Sequence, residues 1–168
     1  MSFAVRRMRP GDLAQAMEIL GQWNMAPRPA GPDAPRPERE HLDVERSFVA
    51  VAGEDERVVG VCSYIVHDPE LAETASLAVR PEYRGSGAGF RLQQARLDAM
   101  RALGIRRVRT ETDREETAAW YQRKFGSRVV GTSPKRHAFS RADVHHWTVL
   151  ELDLGPPEPQ RRGGGSPR

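Results

Sequence analysis

The residues best suited to do chemistry crowd into one short stretch, Arg84-Gly85-Ser86-Gly87-Ala88-Gly89. Three glycines at alternate positions let the backbone adopt conformations closed to other residues and keep side chains from standing between the amides and a ligand. The stretch lies between an apolar run ending at Val79 and a helical pattern that opens at Gly87 or Gly89. A strand passing into a helix there would aim the unpaired N–H groups of the first helical turn outward, with the partial positive charge that suits a phosphate or diphosphate. Arg84 adds a formal charge at the rim. A turn that only reverses the chain needs fewer glycines. Two nucleotide patterns fit poorly: Gly-Phe-Arg stands where a triphosphate-binding loop has Gly-Lys-Ser/Thr, and Gly-Ser-Gly-Ala-Gly lacks the final spacing of a dinucleotide fingerprint.

The remaining reactive side chains suggest little. Cys62 is the lone cysteine and sits in the apolar run Val-Val-Gly-Val-Cys-Ser-Tyr-Ile-Val, where a buried thiol acts as a small hydrophobe. His145 and His146 are neighbours in an expected strand, so they point to opposite faces, one toward an edge and one toward the core, and do not readily share one ion. With His137 they have no cysteine partner and no His-x-x-x-His spacing, so no metal is expected.

The rest of the chain must position the glycine turn. Phe3 to Met8 reads as a first strand, and Leu13, Ala16, Met17, Leu20 and Trp23 recur at helical spacing from about Asp12 to Asn24. Residues 25 to 37 carry five prolines and are either a surface linker or a loop that shapes a substrate site. Glu38 to Glu45 is a candidate short helix. Ser47 to Ala52 and Arg57 to His67, separated by a polar turn, read as an antiparallel hairpin. Thr74 to Val79, a helix to Leu103 stopped by Gly104, and Ile105 to Thr112 form a strand-helix-strand unit. Glu115 to Phe125 is a short helix ended by Gly126, and Arg128 to Thr132 and His146 to Leu154 are the last strands. The tail from residue 156 has no apolar content to bury and is expected to be disordered.

At 168 residues with a net charge of +3, the chain fits one domain, residues 1–155, and its scattered arginines give no phosphate-tracking surface for a nucleic acid. No signal peptide or membrane span is evident, which places the chain in the cytoplasm with no membrane partner. The edges of the final strands make a homodimer plausible.

Arg84-Gly85-Ser86-Gly87-Ala88-Gly89, preceded by Leu77-Ala78-Val79-Arg80-Pro81-Glu82-Tyr83, resembles the acetyl-CoA signature of the GNAT superfamily of N-acetyltransferases, Gln/Arg-x-x-Gly-x-Gly/Ala. Ala118 to Gly126 resembles the same superfamily's helix that carries a tyrosine and ends in Lys-x-Gly. Together with the order of elements, the resemblance covers about residues 3 to 154. It departs at Asp113-Arg114-Glu115, where many members carry an asparagine, and at Ser127, in place of an aromatic whose space Phe125 could fill.

The resemblance implies an α/β (α+β) GNAT fold: a mixed, mostly antiparallel twisted sheet of six to seven strands with about four helices. It implies direct attack of an amine on acetyl-CoA in a ternary complex, without a metal. The backbone of Leu77, Ala78 and Val79 would pair with the pantetheine arm, and Arg84, Gly85, Ser86, Gly87, Ala88 and Gly89 would hold the diphosphate. Glu73 is the first candidate for the base that takes the amine proton, with Glu111 the alternative. Tyr121 matches the family's tyrosine that protonates the leaving thiolate. Trp23, Asn24, Met25, the proline-rich loop and Lys135, Arg136 and His137 would flank the acceptor, and their cations favour a small anionic amine. A small amine, an amino acid, an amino sugar, a protein N-terminus and a protein lysine are all acceptors of this chemistry, and a bare polyamine is the less favoured one. The rival readings are a CoA-binding module without catalysis and an acetyltransferase that docks on nucleic acid.

Overall fold

A computed structural model of the chain describes residues 2–28, 39–136 and 139–156. The expectations for the tail beyond residue 156, for most of the proline-rich segment and for His137 therefore lie outside the described residues. Seven strands form one sheet: β1 (Ala4–Arg7), β2 (Ser47–Ala52), β3 (Arg57–Val66), β4 (Leu71–Val79), β5 (Arg107–Thr112), β6 (Arg128–Pro134) and β7 (His146–Asp153), ordered β1-β2-β3-β4-β5-β7-β6. Every neighbouring pair is antiparallel except β4 with β5. Among the described residues three α-helices accompany the sheet: α1 (Leu13–Gln22), α2 (Ala88–Ala102) and α3 (Glu115–Phe125). Over the described residues 39–45 the expected α-helix is absent, and a 3-10 turn, Val44–Arg46, is capped by the Asp43 side chain. An aspartate that binds its own backbone two residues on favours such a turn over a longer helix.

The sheet is covered on both faces, which explains why β2 and β3 are apolar without alternation. Phe48 and Ala50 pack with Leu92 and Met100 of α2, while the intervening Val49 and Val51 pack with Ala16, Ile19 and Leu20 of α1. Phe125 and Leu77 join the α3 contacts to those of α2. At the far edge β6 leaves Val129 and Val130 exposed.

Two irregularities of β4 shape the site. Its register with β3 shifts between Ser63 and Tyr64, which pair with Ser76 and Thr74, so Ala75 is an extra residue in the strand. Ala72 and Leu77 then share the α2 face although they stand five positions apart, while Ala78 lies on the α1 face. Toward β5, pairing covers only Leu71, Ala72 and Glu73. One further link, Thr74 Oγ1 to Thr110 Oγ1 at 2.8 Å, lies beyond that point.

At the start of α1, Asp12 accepts both guanidinium ends of Arg6, at 2.8 and 3.0 Å, and the Arg9 amide at 2.7 Å. The Arg6 hydrogen bonds hold its carboxyl below the usual carboxylate range against the opposing effect of burial. Such a carboxylate stabilises the fold above its unfolded pKa of about 3.9 and stops doing so as pH falls through its lower folded value. Asp12→Ala is expected to cost about 1–2 kcal/mol at neutral pH, with the deficit shrinking in acid. Urea unfolding at several pH values measures both.

Candidate active site

The glycine turn is built as its residue types suggest. A 3-10 turn, Pro81–Tyr83, leads to Arg84, and Gly87 caps the first turn of α2. Gly85 and Gly87 have φ of +75° and +88°, a region where side chains are strained, and open space lies where their Cβ atoms would stand. Ser86 Oγ accepts the Ala88 amide at 3.3 Å. A diphosphate fits this open, glycine-lined helix N-terminus, with Arg84 beside it.

From Arg84 and the end of β4 a cavity of about 550 Å³ runs to the wall formed after β5. Leu77, Ala78 and Val79 line one side of it, and Glu111, Asp113 and Arg114 another. Three side chains hold carbonyls of β4 that β5 does not reach. Arg39 donates to Ala75 O at 3.4 Å, Arg96 to Ser76 O at 2.7 Å, and Trp23 Nε1 to Val79 O at 3.3 Å. The Trp23 ring carries two guanidiniums, those of Arg84 at 5.4 Å and Arg114 at 5.6 Å from its centroid.

Of the two candidate bases, Glu111 lines the cavity and Glu73 does not. The Glu73 side chain is 1% exposed, with His67 Nε2 at 3.1 Å, Arg39 at 3.3 Å and Arg109 at 4.0 Å. Arg109 also binds Glu111 Oε1 at 2.7 Å, so the two carboxylates are linked through one guanidinium. Tyr121 is buried behind the cavity, against Leu77 and Leu150. Its hydroxyl accepts from Arg96 Nη2 at 2.9 Å. Burial pushes the phenol's pKa up, and the adjacent guanidinium offsets part of that rise. Phe125 stacks on Phe90 of α2 at 5.1 Å and Ser127 is buried.

Lys135 departs from expectation. Rather than facing a substrate, it is 4% exposed and binds Asp113 Oδ2 at 2.7 Å together with the carbonyls of Phe139 and Arg141. Asp113 also accepts from Ser140 Oγ and the Arg141 amide, both at 2.8 Å. Burial alone would raise its carboxyl, but Lys135 and these donors hold it below the usual range. Ser140 in turn donates its amide to Asn24 O at 2.9 Å, so this loop is tied to the end of α1. His145 and His146 are both exposed, because β7 begins only at His146 and neither reaches the core. Cys62 is buried, its thiol pushed up to about 11 by desolvation, and is unsuited to nucleophilic chemistry.

Sequence reasoning missed Asp113 and Arg96. Asp113 has no local signal, since its partners lie 22 to 28 residues ahead. Arg96 had one: it stands four residues from both Leu92 and Met100, within the inward stripe of α2.

The family model described as "Acetyltransferase (GNAT) family" matches residues 14–126. The chain belongs to the GNAT family of acetyltransferases. It is 36% identical over 89 residues to N-alpha-acetyltransferase 30 of Schizosaccharomyces pombe, a match covering 49% of this chain and 58% of that protein. It is 37% identical over 106 residues to the amino-acid acetyltransferase of Pseudomonas syringae pv. syringae, covering 61% of this chain and 24% of the relative. The matched stretches thus span less than two thirds of these curated relatives. The fold is similar to that of Rv2747 from Mycobacterium tuberculosis, solved with CoA and NLQ, at a TM-score of 0.66 and 19% identity over 90% of this chain and 99% of that one.

The Lys135–Asp113 pair separates a structural from a substrate-binding role. Lys135→Met leaves a buried carboxylate without its cation and is expected to cost about 3 kcal/mol in urea unfolding. No selective loss of affinity for anionic acceptors is expected in steady-state kinetics.

Proposed function

We propose that this GNAT chain is an acetyl-CoA-dependent N-acetyltransferase whose acceptor is the primary amine of a small, anionic molecule. The observation that carries this reading is the single cavity joining the β4 end and Arg84 to the Glu111 carboxylate, so that a thioester and an amine can meet in one space. Its volume of about 550 Å³ suits a small ligand. Trp23, Phe139 and Trp147 on the walls suit the carbon skeleton, and Arg39 and Arg46 suit an acid group. The amino-acid acetyltransferase relative supports such an acceptor, and the N-alpha-acetyltransferase relative favours a peptide N-terminus as the second reading.

Acetyl-CoA is a substrate here. The Arg84–Gly89 turn holds its diphosphate through the helix N-terminus, and the backbone of Leu77, Ala78 and Val79 aligns the pantetheine arm. Structural relatives solved with CoA support this assignment. Glu111, directly or through water, takes the proton the amine must lose, because an ammonium has no lone pair. Arg109 orients that carboxylate, and Glu73 orients Arg109 from behind. A β4 amide polarises the thioester carbonyl. Tyr121 supplies a proton to the sulfur. The scheme calls for no metal. A cytoplasmic location belongs to this reading; among the described residues no helix is long and apolar enough to cross a membrane. The uncovered β6 edge is where a homodimer would pair.

A thiol-release assay over amines of differing charge, with a peptide N-terminus included, tests the reading. Turnover is expected with small carboxylated amines; turnover with peptides alone would select the second reading, and CoA binding without turnover a non-catalytic module. Glu111→Gln is expected to lower kcat by about 100-fold or more, and Glu73→Gln by much less. Tyr121→Phe is expected to lower kcat while leaving the acetyl-CoA KM nearly unchanged.

A further inference from the structure

Arg96 is the largest fully buried side chain of the described residues. Its Nε donates to Gln93 Oε1 at 2.5 Å, Nη1 to the carbonyls of Ser63 at 2.9 Å and Ser76 at 2.7 Å, and Nη2 to Tyr121 Oη at 2.9 Å. None of these acceptors is a carboxylate. A guanidinium stays protonated even when buried, so the interior holds a full positive charge solvated only by neutral groups, an arrangement that is costly unless something uses it. Ser63 and Ser76 flank the register shift of β4, so capping their carbonyls accounts for Nη1. It does not account for Nη2.

A guanidinium donates and cannot accept. In its bond with Arg96, Tyr121 Oη is therefore the acceptor, and the hydroxyl's own hydrogen must point elsewhere. We infer that Arg96 is a positioning residue that turns the Tyr121 hydrogen toward the sulfur of CoA and keeps positive charge behind it, so that the sulfur departs as a stabilised thiolate. This rests on the reading of Tyr121 as proton donor. The amine lone pair forms the C–N bond and the C–S bond breaks with its electrons going to sulfur. The departing thiolate accepts a hydrogen bond from Tyr121 Oη, whose oxygen stays bonded to Arg96, and the proton that the amine nitrogen released leaves through Glu111 to solvent. Arg96 from α2 and Cys62 from β3 are the ionisable groups that act on this hydroxyl. β4 and β7 face it with the apolar Leu77 and Leu150.

A binding measurement tests the inference without turnover. An ordinary alkyl thiol ionises near 8.5, and a site that favours the thiolate lowers that value, so CoA should bind more tightly as pH rises toward it. Calorimetry on the full chain is expected to show CoA affinity rising up to about tenfold between roughly pH 6.5 and 8.5, and S-methyl-CoA, which has no ionisable sulfur, showing no rise. The rise should vanish in Arg96→Met, whose kcat should fall about 10- to 100-fold with little change in the acetyl-CoA KM. If Arg96→Met does not melt cooperatively, Arg96→Gln, which keeps a donor for the Ser63 and Ser76 carbonyls, is read in the same way. A rise that is lost in Tyr121→Phe but kept in the Arg96 variants overturns the inference and leaves the role of Tyr121 standing. A rise that survives both overturns the role of Tyr121 itself.

Discussion

When a parallel strand pair ends after three residues, the backbone beyond it still needs hydrogen-bond partners, and unpaired carbonyls inside a protein are expensive. β4 meets this demand with side chains. Arg39, Arg96 and Trp23 bind the carbonyls of Ala75, Ser76 and Val79, and they come from the segment before β2, from α2 and from the end of α1. The gap between β4 and β5 therefore stays open without leaving those groups bare. The cavity opens from this gap, and Arg39 and Trp23, which hold two of those carbonyls, stand on its walls.

The electrostatics follow from the same opening. Arg39 is placed where β5 would have supplied a neutral amide and Arg96 where the β3–β4 ladder is interrupted, so the site gathers guanidiniums that an unbroken sheet would not hold. Carboxylates balance some of them: Glu73 lies against Arg39 and Arg109, and Glu111 against Arg109. Arg96, set deepest, faces only neutral acceptors. Across the cavity, Asp113 and Lys135 form a separate pair that ties down the loop through Phe139, Ser140 and Arg141.

Elements with local signals were legible in the sequence. The glycine turn, the stripes of α1 and α3, the stop at Gly104 and the β4-α2-β5 unit all appear where their patterns predict, since caps and periodicity act over a few residues. The site was legible as a place more than as a set of contacts. Glu73 looked suited to the acceptor because it stands at the start of the strand that runs into the glycine turn, and plain period-two alternation would keep it on the face of Leu77. The extra residue at Ala75 breaks that count, and no residue type announces a bulge. Lys135 looked available because only the folded chain brings Asp113 and two carbonyls to it.

The bulge at Ala75 carries information that no side chain in β4 carries. A regular strand of the same length could keep its ladder with β3 only by exchanging the two sides of everything before the gap, sending Glu73 toward α2 and Ala72 toward α1. Within this strand, composition can drift at many positions, but the one residue set outside the ladder decides which groups look inward.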